Sequence, residues 1–235
     1  MAMSDALFEL LRKVSTATIT TMLLRKGIRR CWMNGPKPLA PAGSRVVGRA
    51  FTLRFIPVRE DLATVESWGN PVSTRAAIEA MPEGAVVVAD AMGVSGAGIF
   101  GDILCARMQK RNVAALVTDG AVRDRAGVLR TALAVWCAGV AAPASVNQLT
   151  FVAWQDPIGC GGCAVFPDDV VVADDDGAVV IPQEMVDYVA SEGAEHELYE
   201  GWVVSEVESG AKLPGLYPPN DDAKARYAAW RKSRP

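Results

Sequence analysis

The feature that most constrains the fold is a pair of short, almost wholly apolar segments, residues 85–90 (AVVVAD) and 113–119 (VAALVTD). Val-rich runs of that length, without polar alternation, read as strands covered on both faces, as in a parallel sheet. Between them lie a Gly-rich stretch, 91–101, and a helical pattern over 102–112. The order strand, loop, helix, strand implies a right-handed crossover between two parallel neighbours. Ligands of such sheets bind at the carboxyl ends of the strands.

The flanks add elements of both kinds. Residues 4–27 read as helical, with Leu7, Leu10, Leu11 and Val14 on one face and Gly27 as the stop. Residues 45–57 (RVVGRAFTLRFIP) have the content of one or two strands. Ser73 is placed to N-cap a short helix ending at Met81, before Pro82-Glu83-Gly84. Asp176-Gly177 reads as a hairpin turn between VVVA and AVVI, so turn chemistry accounts for the triple acid Asp174-Asp175-Asp176 better than a metal does. Residues 183–210 look helical, 213–219 an extended link, and 221–231 an amphipathic helix carrying Tyr227 and Trp230.

Composition then removes whole classes of chemistry. With 24 basic and 27 acidic residues and a net charge of −3, no electrostatic reason exists to expect nucleic acid. The single histidine, His196, excludes His-rich zinc sites, and a Ser-His-Asp triad would have to recruit that one residue. Five cysteines, an odd number, fit reduced thiols in a cytoplasm, and Cys160-Gly-Gly-Cys163 lies between strand-like segments as a structural pair. The longest apolar run, 132–142, is too short to span a bilayer, so no membrane is expected. What remains is carboxylates, Arg, Lys, backbone amides or a hard metal.

Two motifs compete for the Gly-rich stretch. Gly96-Ala-Gly98-Ile-Phe-Gly101 is a literal GxGxxG, followed by Asp119 at the end of the next strand, and so fits an NAD-dependent oxidoreductase. Five residues separate its first Gly from the preceding strand, where a tight turn is required. The other reading uses the helix start. Asp102 lies there among the unpaired amides of Gly101, Ile103 and Leu104, a ready anion site. Arg123-Asp124 falls just past the next strand, on the same sheet edge. An ordinary N-cap at Asp102 and a surface ion pair at Arg123-Asp124 account for the same residues.

The stretch Gly101-Asp102-Ile-Leu…Val117-Thr-Asp119-Gly120-Ala-Val-Arg123-Asp124 resembles the signature of the RraA-like family. The resemblance includes an Asp followed by twenty residues and then Arg-Asp, and extends through Ser15-Thr-Ala-Thr-Ile19 and the segment 167–182. That family contains 4-hydroxy-4-methyl-2-oxoglutarate and 4-carboxy-4-hydroxy-2-oxoadipate aldolases, and shorter members that inhibit a ribonuclease. It implies an α/β fold: a β/β/α swivelling-domain-like core with N-terminal helices and a C-terminal helical arm. Residues 1–210 would form the catalytic domain and 211–235 an extension packing on a neighbouring subunit of a homotrimer or homohexamer.

The resemblance also implies roles. Asp124 would hold Mg²⁺ or Mn²⁺, mostly through water; Arg123 would contact the pyruvate moiety of a small 2-oxo acid. The amides of Ile103 and Leu104, with Gly101, would take its carboxylate. Glu200 of a neighbouring subunit, or Glu197 in its place, would complete the metal site, and Asp102 or Glu200 would orient the water that takes the C4 hydroxyl proton. The expected reaction is cleavage of a 4-hydroxy-2-oxo acid to pyruvate, with oxaloacetate decarboxylation through the same enolate. The extension favours the enzyme branch over the ribonuclease-inhibiting one. After Arg123-Asp124 the chain reads Arg-Ala-Gly-Val, unlike the aldolases, which leaves the aldol substrate open.

Overall fold

A computed structural model describes residues 5–233. Its elements run α1 (Asp5–Leu11), α2 (Thr16–Arg25), β1 (Lys37–Pro38), β2 (Val46–Pro57), α3 (Thr74–Ala80), β3 (Val86–Asp90), α4 (Asp102–Lys110), β4 (Ala115–Thr118) and β5 (Ala121–Val122). They continue with α5 (Arg125–Arg130), β6 (Ala134–Cys137), β7 (Gly139–Val140), β8 (Leu149–Trp154), β9 (Ile158–Cys160), β10 (Cys163–Val165), β11 (Val170–Asp174), β12 (Gly177–Ile181), α6 (Val186–Glu208) and α7 (Asp221–Lys232).

The two apolar segments are parallel neighbours. β3 pairs with β4 from Val86↔Ala115 to Ala89↔Thr118, and β2 and β6 extend the parallel set on either side. The main sheet runs β1-β6-β4-β3-β2-β11-β12, with β8 on the far half of β2. Trp32 bridges to Val179 on β12, and five residues later Lys37 pairs with β6, so one short segment ties the two ends of a curled sheet. Val87 and Leu116 face a core shared with α3, α4 and α5; Val86, Val88 and Val117 face the β9–β10 hairpin and β12. Burial on both faces explains the absence of alternation in β3.

The helices differ from the sequence reading in one respect. The pattern over 4–27, whose first residue lies outside the described ones, is two helices, because Ser15 interrupts it as an N-cap accepting from Thr18 N. The Ser15 amide donates to Glu197 Oε1 at 2.8 Å, and Thr16 donates to Asp174 through both its amide (2.9 Å) and hydroxyl (2.7 Å). Asp174 is thus a helix-capping acid, and Asp175 and Asp176, not Asp176-Gly177, occupy the hairpin turn. Ser73 caps α3 as expected, and Gly27 stops α2 at φ +82°. Residues 213–219 are not extended; they fold into turns, with the Asn220 amide donating to Gly215 O at 2.8 Å. These turns bring α7 back onto α6 of the same chain, where Trp202, Val203, Leu216 and Ala223 form a small separate core.

Candidate active site at the carboxyl edge of the sheet

At the carboxyl edge of β3 and β4 the Gly-rich loop and the β4–α5 segment are sewn together. Gly98 bridges to both Ala121 and Ala144; its amide donates to Pro143 O, and the amides of Ile99 and Arg123 donate to Ala121 O and Phe100 O, each at 2.9 Å. A Cβ on Gly98 would lie 2.7 Å from the Arg123 backbone nitrogen. This corrects the dinucleotide reading: the surface a pyrophosphate would need over that glycine is filled by Arg123. Asp119 is likewise not free for a ribose. It is buried and accepts from Ala91 N at 2.8 Å and Gly161 N at 3.2 Å, clamping the loop to the β9–β10 turn.

The same stitching brings the starts of α4 and α5 together. Asp124 stands at the N-cap of α5 with left-handed backbone, φ +55°, an uncommon conformation for a non-glycine residue. A Cβ on Gly101 would fall 2.6 Å from Asp124 Oδ2, and one on Gly127 would fall 2.5 Å from Asp102 Oδ2. Each glycine therefore makes room for the acid that belongs to the opposite helix. Arg123 Nε lies 3.1 Å from Asp124 Oδ2, and both side chains are partly exposed. The ion pair anticipated by the plain surface reading is present, and Asp102 and Gly101 are packed beside it.

The amides at the start of α4 are distributed unequally. Ile103 N donates to Asp102 Oδ1 at 2.8 Å, so that donor is already covered by its own neighbour. The Asp102 and Leu104 amides have no acceptor among the described residues and remain available to an anion. Ile103 itself projects into solvent at 80% exposure, although it is a large apolar side chain. The donors at this edge are oxygens and a guanidinium, and no group of three metal-ligating side chains occurs among the described residues. Of these, only the carboxylate oxygens of Asp102 and Asp124 are of the kind a hard cation takes.

Of the two C-terminal acids, Glu197 is committed within its own chain. Burial opposes its charge, but the backbone and hydroxyl of Ser15 and the hydroxyl of Thr18 outweigh that and hold it below the usual carboxylate range. Glu200 is held at the α6 surface by the Tyr217 hydroxyl at 2.8 Å and by His196 Nε2 at 3.2 Å. Three further arginines have partners of their own: Arg107 with Glu79 at 2.7 Å, Arg75 over the Trp68 ring at 4.6 Å, and Arg125 with Leu39 O at 3.4 Å. Gly127 was not singled out from the sequence; a glycine in the first turn of a helix, where alanine is favoured, is the signal that marks it.

These features define a small mixed α/β protein with unpaired amides at a helix start beside an Arg-Asp pair. A family model described as RraA-like, Aldolase/RraA, matches residues 4–180, and the chain belongs to that family. A Halalkalibacterium halodurans protein bearing the provisional name 4-hydroxy-4-methyl-2-oxoglutarate aldolase is 33% identical over 147 residues, 63% of this chain and 64% of that one. Protein DlpA of Legionella pneumophila is 29% identical over 75% of this chain, which covers 28% of its length. The chain thus spans less than two thirds of these curated relatives. Streptomyces coelicolor RraAS2, described as an unusual member of the RNase ES inhibitor RraA protein family, matches with a TM-score of 0.77 at 34% identity, over 86% of this chain and 97% of that one. No described helix is long and apolar enough to cross a membrane.

Proposed function

We propose that the protein is a divalent-metal-dependent lyase that cleaves a 4-hydroxy-2-oxo acid to pyruvate and a second oxo compound. The observation that carries this reading is the juxtaposition of Asp102, Arg123 and Asp124 around Gly101 and Gly127. The free amides of Asp102 and Leu104 bind the substrate carboxylate, and Gly101 lets it approach the backbone. Asp102 Oδ1 is anchored to Ile103 N, which leaves Oδ2 to receive the C4 hydroxyl proton, directly or through water. As the C3–C4 bond breaks, its electron pair passes into the pyruvate enolate, and the Arg123 guanidinium stabilises the negative oxygen. Protonation at C3 then yields pyruvate.

Asp124, through water, and Glu200 of a neighbouring copy would hold Mg²⁺ or Mn²⁺, which would supply electrophilic stabilisation of the 2-oxo group. Glu200 is preferred to Glu197 because Glu197 is tied to the Ser15 backbone amide, whereas the partners of Glu200, Tyr217 and His196, are side chains that can turn away. We assign the assembly as a homotrimer or homohexamer in which the helical arm reaches the next subunit, and place it in the cytoplasm without nucleic acid or membrane.

The test is pyruvate release from 4-hydroxy-4-methyl-2-oxoglutarate by mixed oligomers of Arg123→Ala and Glu200→Ala. Each variant alone should be inactive, and mixing should restore activity in sites built from two intact halves. Failure of wild type to turn over any 4-hydroxy-2-oxo acid would reject the reading. The likeness to RraAS2 favours one alternative, a regulator that binds a ribonuclease. Stable capture of a degradative ribonuclease without pyruvate release would support it instead.

A further inference from the structure

His196, the only histidine in the chain, stands beside Glu200 and lines a groove of its own. The groove, about 430 Å³, is walled by Arg25 from the end of α2, His196 and Tyr199 from α6, Tyr217 from the turn segment, and Lys224 and Tyr227 from α7. Its volume falls within the range of small-molecule sites, roughly 300–1,000 Å³.

Two observations say what it would hold. The first is that all three tyrosine hydroxyls donate away to fixed acceptors: Tyr199 to Leu216 O, Tyr217 to Glu200, and Tyr227 to Glu195, at 2.5, 2.8 and 2.5 Å. The rings are therefore locked, and what they offer a ligand is faces and edges, Tyr199 and Tyr217 being nearly parallel with centroids 6.3 Å apart. Two prolines, 218 and 219, add flat apolar surface.

The second is unspent positive charge. Among the described residues Arg25 has only the Met22 sulfur, at 3.6 Å, as a hydrogen-bond partner and no carboxylate in ion-pair contact. Lys224 faces it with only Asp221, 99% exposed, as its acid, a pair of little strength in water. Glu200, beside the groove, is already taken by Tyr217 and His196, two of the groove's wall residues.

We infer that this groove is a binding site for a small aromatic carboxylate, its ring packed against the tyrosines and its acid group paired with Arg25 and Lys224. The inference goes beyond the lyase reading and shares with it only Glu200, the acceptor of the Tyr217 hydroxyl.

The solitary histidine supplies the assay, because its Cε1–H gives a single imidazole resonance inside the groove. Titration of the full chain with 2-naphthoate should shift that resonance saturably. Arg25→Gln, a change at an exposed position, should weaken binding at least tenfold. So should replacing the ligand by 2-naphthylmethanol, which keeps the rings and lacks the charge. Arg123→Ala should bind as wild type does. A resonance unmoved at millimolar naphthoate, or equal affinity in Arg25→Gln, would overturn the assignment. Loss of binding in Arg123→Ala with retention in Arg25→Gln would overturn it too, placing the acid at the other site.

Discussion

Replacing Gly127 by alanine tests whether Asp102 acts from the position in which it is packed. The new Cβ would stand 2.5 Å from Asp102 Oδ2 and 2.6 Å from Asp102 Cβ, against an ordinary contact of 3.4 Å. The carboxyl must therefore retreat by about 0.9 Å, and because its Cβ is also struck, rotation about χ1 alone does not relieve the clash. A misplacement of that order at a reacting group costs on the order of 10²-fold in rate. Stability should change less. Overpacking costs about 1–3 kcal/mol, and alanine returns about 1 kcal/mol of helix propensity, leaving a net loss of about 0–2 kcal/mol. The assay is pyruvate release from 4-hydroxy-4-methyl-2-oxoglutarate, whose C4 hydroxyl proton Asp102 would receive, paired with a urea melt of the same preparation. We expect a fall of about 100-fold in kcat with the fold retained, and Gly127→Ser should be no better. Activity within threefold of wild type would refute the role given to Asp102.

Two further outcomes follow from buried ionisable groups. All five cysteines are buried, and burial, aided by the Asp102 charge, pushes the Cys105 thiol up to about 12, while burial beside Cys31 lifts Cys163 to about 11. The native protein should therefore show no fast-reacting thiol toward a disulfide reagent at pH 8, and five after denaturation; a rapid native thiol would contradict this. Asp90 is raised above the usual carboxylate range, chiefly by burial and then by the neighbouring Asp119 charge, against the bond from Met92 N. An acid raised in the folded state favours folding when protonated, so its contribution weakens as pH climbs from the unfolded value, about 3.9, through the folded one. Asp90→Asn, which keeps the acceptor for Met92 N, should raise the melting temperature at pH 7 and lose that advantage toward pH 4; a lower melting temperature at pH 7 would count against the assignment.

Much of this was legible in the chain because local signals and burial agree. Residues 85–90 and 113–119 announced a parallel pair by being apolar without alternation, and Ser73, Gly27 and Pro82 marked their helix ends by cap chemistry. The helix start at Asp102 and the Arg-Asp pair were placed on one edge because both follow the carboxyl ends of parallel strands in one βαβ unit. What escaped depends on contacts distant in sequence. Ser15 splits the N-terminal helix because Glu197 and Asp174 meet it there, and no local pattern encodes those partners. The dinucleotide fingerprint was correct in spacing and wrong in context, since only the folded chain shows Arg123 lying over Gly98. Gly127 reads as a weak spot in a helix until Asp102 is found packed against it.

The central claim is that a water-clad cation beside Asp124 serves the Asp102–Arg123 edge in breaking a carbon–carbon bond. It is tested most directly by pyruvate release from oxaloacetate with Mg²⁺, with EDTA, and with Asp124→Ala. The account predicts turnover with Mg²⁺, its loss in EDTA, its return on adding Mg²⁺ back, and none from the variant under any condition. Undiminished turnover in EDTA, or full activity in Asp124→Ala, would contradict it.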